Sequence, residues 1–230
     1  PTSTSNGLLG LPGSHRVLPE TPMPEELPAA KFWGWFERHA AEIRAAYDRG
    51  DNDWLDHQIS PLIARIHESL NWEIGPYNHP DYTFVLSPTI RENLSFTRQA
   101  VEAAPELQGW RFVPAKPPKE LNSLVFETDD SRICADDWRY RLTAYNSGEF
   151  VDIELLINAE SEFPSAQEAM FTELVVESLI GEECRLDRVG YLTPTIVSDN
   201  ALEVGSTPIR HLRDHLAQVL APETNKAEQD

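Results

Sequence analysis

The sequence predicts an α+β fold, with an antiparallel or mixed β-sheet and helices mostly on one face. Three observations carry that expectation. Residues 137–158 alternate as a hairpin, other stretches keep the period of amphipathic helices, and the two kinds of segment are interleaved without strict βα alternation.

The hairpin is DWRYRLTAYNSGEFVDIELLIN, with Ser147-Gly148 as a two-residue loop in which Gly148 supplies a positive φ. Closing the chain there sets Ala144 opposite Val151, Leu142 opposite Ile153, Tyr140 opposite Leu155 and Trp138 opposite Ile157. The other face pairs Thr143 with Asp152 and Arg141 with Glu154. A one-residue slip would place Leu142 against Asp152, so the alternation specifies the register strongly.

Upstream, Pro12, Pro19, Pro22, Pro24 and Pro28 mark residues 1–30 as a flexible leader. Phe32, Phe36, Ile43 and Tyr47 make 31–49 an amphipathic helix that stops at Gly50. Ser60-Pro61 reads as the cap and first position of a second helix through Leu62, Ile63, Ile66 and Leu70. Trp72 and Ile74, then Tyr82, Phe84 and Leu86, form two strands. Thr89-x-x-Glu92 is a capping box for a helix ending before Pro105, and Trp110–Val113 is a strand.

Lys116-Pro117-Pro118-Lys119 divides residues 31–221 into two sub-halves of one unit. Beyond it come a strand at 124–128, the hairpin, and a helix capped by Ser165-x-x-Glu168 and stopped at Gly181. Val189–Val197 is a strand that Pro194 assigns to an edge or a bulge. Thr207-Pro208 starts a last helix through Leu212, Leu216 and Val219, and residues 222–230 read as a frayed acidic tail. Each half thus holds a hairpin, a helix and then a strand.

Charge narrows the class of function. The chain carries 38 acidic against 19 basic residues, net −19, of which residues 120–162 hold −8 and residues 163–230 hold −7. Such a field repels nucleic acid and anionic membrane surfaces and attracts a basic protein. Two cysteines, Cys134 and Cys184, are too few for a disulfide framework, and no signal region or membrane span is evident. A cytoplasmic protein with reduced thiols and no cofactor is expected.

Phe32-Trp33-x-Trp35-Phe36, Trp72-Glu73-Ile74-Gly75-Pro76 and Ala104-Pro105-x-Leu107-x-Gly109-Trp110-x-Phe112 occur in that order, followed by Lys116-Pro117-Pro118. With Leu179-Ile180-Gly181-Glu182 and Asp187-x-Val189-Gly190-Tyr191, they resemble an uncharacterised family of bacterial cytoplasmic proteins, a domain of unknown function. The resemblance implies a single α+β unit over residues 32–216 and brings no catalytic residues.

Candidate chemistry is sparse. His211 and His215 stand at i,i+4, the spacing of a metal pair, but Leu212 replaces the Glu that a zincin needs after its first His. Asp48, Asp51, Asp53 and Asp56 lack the glycine placement of a calcium loop and read as a capped helix connection. Asp152 and Glu154 share a strand face, with Arg141 the natural partner of Glu154. Glu149, Asp136 and Asp137 add carboxylates at the two ends of the same hairpin. The leading expectation is a non-enzymatic acidic binding protein, such as an immunity protein that neutralises a basic bacterial toxin, with Asp152, Glu154, Glu149, Arg141, Asp136 and Asp137 on the docking face. A metal-dependent enzyme built on His211 and His215 and a scaffold protein are the alternatives.

Overall fold

The structure is a computed structural model and describes residues 28–77, 79–127, 132–159, 167–198 and 205–220. The first half runs α1 (Pro28–Asp48), α2 (Asn52–Ile66), β1 (Asn71–Gly75), β2 (Tyr82–Ser87), α3 (Leu94–Glu102) and β3 (Trp110–Val113). The second half runs β4 (Val125–Glu127), β5 (Arg132–Cys134), β6 (Arg139–Tyr145), β7 (Phe150–Asn158), α4 (Glu168–Ile180) and α5 (Glu182–Arg188). It ends with β8 (Val189–Val197), β9 (Thr207–Pro208) and α6 (Leu212–Val219). The strands form three sheets, ordered β1-β2-β3, β4-β5 and β8-β7-β6-β9.

The fold is α+β, and the two larger sheets are mixed. β1 and β2 pair antiparallel while β3 lies parallel to β2. β6 and β7 pair antiparallel while β8 lies parallel to β7. Each half is therefore a hairpin, a helical crossover and a parallel strand laid beside the hairpin's second strand, a connection that parallel pairing demands. Helices gather on one face of each of the two larger sheets. Phe84 and Leu86 of β2 pack with Phe32, Phe36, Ile43 and Ile59 from α1 and α2. Ile153, Leu155 and Ile157 of β7 pack with Phe171 and Val175 of α4 and with Leu212 and Leu216 of α6. Trp33 and Trp138 are buried, and Trp35, Trp72 and Trp110 pack partly buried against the core of the first half.

The hairpin register is the expected one from Tyr140↔Leu155 to Ala144↔Val151. Its loop is longer than expected, since Tyr145 also pairs with Phe150 and leaves residues 146–149 to turn the chain. Asn146, Ser147 and Gly148 all hold positive φ, and a Cβ on Gly148 would collide with the Val219 carbonyl at the end of α6. The added loop residues are symmetric about the same centre, so the register survives. Ala144 is exposed and Leu142 half-buried, so the core face closes only beyond them.

Several local signals are overridden, some by neighbouring residues and others by contacts distant in sequence. α1 begins at Pro28, within the span assigned to the leader, because proline suits a first helical turn. α2 begins at Asn52 with Asp51 as its cap, accepting the Trp54 amide at 3.3 Å, so the acidic run is a capped connection. Ser60 is not a cap and Pro61 lies inside α2. The Ser60 hydroxyl bonds Asp56 and accepts the Trp72 indole N–H at 2.9 Å instead. The capping box at Thr89 does not form: Thr89 sits at φ 65, a 3-10 turn covers Arg91–Asn93, and Asn93 donates to the Pro88 carbonyl and to Ser69. Thr207-Pro208 is an edge strand on β6 rather than a helix start, held by the Ile209 amide on the Trp138 carbonyl at 2.9 Å. Ser165 lies outside the described residues, as do 1–27 and 221–230; α4 starts at Glu168, and Gly181 ends it as expected.

A polar seam joins the halves. Glu182, 1% exposed, accepts the Ser87 hydroxyl at 2.6 Å, the Thr89 amide at 3.3 Å and the Lys116 amide at 2.9 Å. Lys119 pairs with Glu73 at 3.3 Å, Lys116 with Glu177 at 3.2 Å and Arg98 with Glu183 at 2.5 Å. Arg213 of α6 donates to the Leu179 carbonyl and the Lys119 carbonyl, tying the Pro117-Pro118 connector to both helices.

Candidate functional site

The outer face of the C-terminal sheet carries the residues that the sequence singles out. Asp152 lies on β7, between β6 and β8. On its β8 side the ladder slips: Val151 pairs with Val189 but Ile153 pairs with Leu192, so Gly190 and Tyr191 together oppose Asp152. The slip leaves the Tyr191 amide facing a side chain, and Asp152 accepts it at 2.9 Å. A Cβ at Gly190 would stand 2.7 Å from the Asp152 carboxylate oxygen, so a larger residue there would push that carboxylate aside.

On the β6 side Tyr145 lies close to the same carboxylate. Hydrogen bonding to Asp152, partial burial and the carboxylate's charge push the Tyr145 pKa up, and Tyr191 is near enough to add to the effect. Tyr145 is 46% exposed and Tyr191 76% exposed. Two exposed tyrosines on the neighbouring strands thus stand beside one carboxylate, Tyr191 bonding it through its main-chain amide, and the row is open to solvent. Among the described residues Asp152 has no ion pair, whereas Glu154 pairs with Arg141 at 3.0 Å and accepts the Thr195 hydroxyl at 3.0 Å.

The remaining acidic candidates divide by location. Glu149 sits exposed in the hairpin loop, its carbonyl accepting Arg188 at 3.3 Å. Arg188 and Arg91 both pair with Asp187 at 3.5 Å, and Arg91 also lies over the Phe150 ring at 5.4 Å. These two cations reach the loop end without bonding Asp152. At the opposite end Asp136 accepts the Leu124 amide at 2.8 Å and the Ser123 hydroxyl at 2.7 Å, which holds its pKa below the usual carboxylate range. Asp136 is thus a brace between β4 and the hairpin, while Asp137 beside it is exposed. The structure places Glu149 in the hairpin loop, Asp152 near that loop and the Arg141–Glu154 pair further along the same face, with Asp136 and Asp137 beyond its far end.

Sequence reasoning missed Tyr145 and Tyr191. Tyr145 falls on the outer face by the same alternation that places Asp152, so its exposure was readable in the register. Tyr191 was not, because the β8 slip that turns it beside Asp152 depends on a pairing that the local sequence does not encode.

The histidine pair does not assemble. His215 is turned inward, its Nδ1 3.0 Å from the hydroxyl of buried Tyr140, whose pKa burial pushes up to about 12. His211 is exposed in the 3-10 turn before α6 and lies 3.3 Å from Arg210. Among the described residues no group of three or more His, Cys, Asp or Glu side chains is placed to hold a metal ion. Cys134 and Cys184 are free thiols, and burial raises the pKa of Cys184. No helix among the described residues is long and apolar enough to cross a membrane. No family model, curated protein or solved structure matches the chain.

Proposed function

We propose that this protein is a non-enzymatic, acidic binding protein that docks the basic surface of another protein. The docking face is the outer side of the β8-β7-β6 sheet at its hairpin-loop end. One observation carries the reading: Asp152 has no ion pair among the described residues and stands between two exposed tyrosines. It does so on a half of the chain whose residues 120–162 and 163–230 carry −8 and −7. Tyrosine is among the residues that dominate interface energetics, and an opposed field accelerates encounter with a cationic partner. An immunity protein holding a basic toxin in the cytoplasm is the concrete form such a role takes, and it requires no cofactor.

Co-purification from the native source, followed by identification of the partner's charge, tests the proposal. A stoichiometric partner with a basic surface that dissociates as salt approaches about 1 M is the expected outcome. A partner that is itself acidic, or one held equally well at high salt, contradicts it.

A further inference from the structure

The Tyr145–Asp152–Tyr191 row has a chemistry more specific than net charge. The Asp152 carboxylate is oriented by the Tyr191 amide at 2.9 Å, and that amide is fixed by the slip between β7 and β8. Orientation by backbone keeps the carboxylate in place without neutralising it. A carboxylate presents about four lone-pair sites, so acceptor capacity remains after these contacts. Tyr145 and Tyr191 on the neighbouring strands are 46% and 76% exposed, and a ring face attracts a cation most strongly where water is displaced.

The nearby cations are committed elsewhere. Arg141 is held by Glu154 at 3.0 Å, Arg188 by Asp187 at 3.5 Å, and Arg91 by Asp187 at 3.5 Å. The same end of the sheet already shows the chemistry once, where the Arg91 guanidinium lies 5.4 Å from the Phe150 ring centroid. Phe150 pairs with Tyr145 across the hairpin and shares its face.

We infer that this row is a subsite for a single arginine side chain of the partner, with the guanidinium on Asp152 and its plane against Tyr145 or Tyr191. Arginine is favoured over lysine because a planar guanidinium bonds a carboxylate and stacks on a ring at once, which an ammonium does not. The inference rests on the proposed function and adds to it the residue type that is read.

An oligo-arginine peptide and an oligo-lysine peptide of equal length serve as probes, titrated by calorimetry into the full chain. Asp152→Asn keeps an acceptor for the Tyr191 amide while removing charge, and Tyr191→Phe and Tyr191→Ala separate the ring from the hydroxyl. Glu37→Gln, an exposed site on α1, removes one charge from the other half of the chain. Unchanged melting temperatures confirm that the variants are folded; a variant that melts early is replaced by Tyr145→Ala. The expected result is oligo-arginine binding weakened about tenfold by Asp152→Asn and by whichever of Tyr145→Ala and Tyr191→Ala removes the stacked ring, but not by Tyr191→Phe or Glu37→Gln. Oligo-lysine should bind more weakly than oligo-arginine and respond less to that same ring variant. Equal weakening by Asp152→Asn and Glu37→Gln overturns the subsite while leaving a diffuse acidic binder intact. No binding of either peptide at low salt overturns both readings.

Discussion

Glu182 and Ser87 stand 95 positions apart in the chain and share a hydrogen bond of 2.6 Å. The carboxylate is buried and accepts two further amide donors, so three hydrogen bonds converge on one side chain at the seam. Replacing Glu182 by Ala strands the Ser87 hydroxyl and the Thr89 and Lys116 amides at the seam between the halves. The expected loss is about 2–4 kcal/mol of unfolding free energy, measured by urea titration. A loss within about 0.5 kcal/mol would show that the seam does not hold the halves together.

The hairpin register makes a graded prediction. Ile153 is 1% exposed on the core face, so Ile153→Asp buries an unpaired charge and should cost about 4 kcal/mol or more. Leu142, its cross-strand partner, is half-buried, and Leu142→Asp should cost clearly less. Thr143 is exposed opposite Asp152, so Thr143→Asp should cost only about 1 kcal/mol, from like charges facing each other. Equal falls in melting temperature for all three would mean that the two faces are wrongly assigned.

Asp136 predicts a pH dependence of defined sign. The Leu124 amide and Ser123 hydroxyl lower its pKa in the folded protein below the ordinary 3.8. A depressed carboxylate stabilises the fold above its unfolded pKa and loses that contribution as pH falls through the folded one. Asp136→Ala should therefore be less stable than the wild type at neutral pH, with the gap narrowing only below pH 3.8. A gap that stays constant down to acid unfolding would show that Asp136 acts through packing alone.

How much was legible follows from where each signal lives. The hairpin pairs, the Arg141–Glu154 contact and the Gly181 stop could be read because each is set by residues near in sequence. Thr89 and Pro208 were misread because each resembles a helix start locally, while its pairing is decided by Glu182 or by β6 elsewhere in the chain, and Pro61 was misread because the helix had already started at the Asp51 cap. α5 was invisible: its seven residues, EECRLDR, have no apolar period and are positioned by Glu182 in the seam. The same limit applies to the site. Asp152 and Glu154 were found as a pair, but Glu154 is satisfied by Arg141 and Thr195, and the open carboxylate is Asp152 alone. A double lysine replacement of Asp152 and Glu154 is therefore a poor probe of docking, since it would also remove the acceptor of the Tyr191 amide and the partner of Arg141.

Association kinetics with the co-purified partner test the docking face most directly, comparing wild type with Asp152→Asn at salt concentrations of about 0.05 M and 0.5 M. Asparagine preserves an acceptor for the Tyr191 amide, so the β8 strand stays in place while the charge is lost. The account predicts association several-fold slower for Asp152→Asn at low salt, with the two rates converging as screening shortens the reach of the field. Identical association and dissociation rates at low salt, with both proteins equally folded, would contradict a cationic partner docked on the Tyr145–Asp152–Tyr191 face.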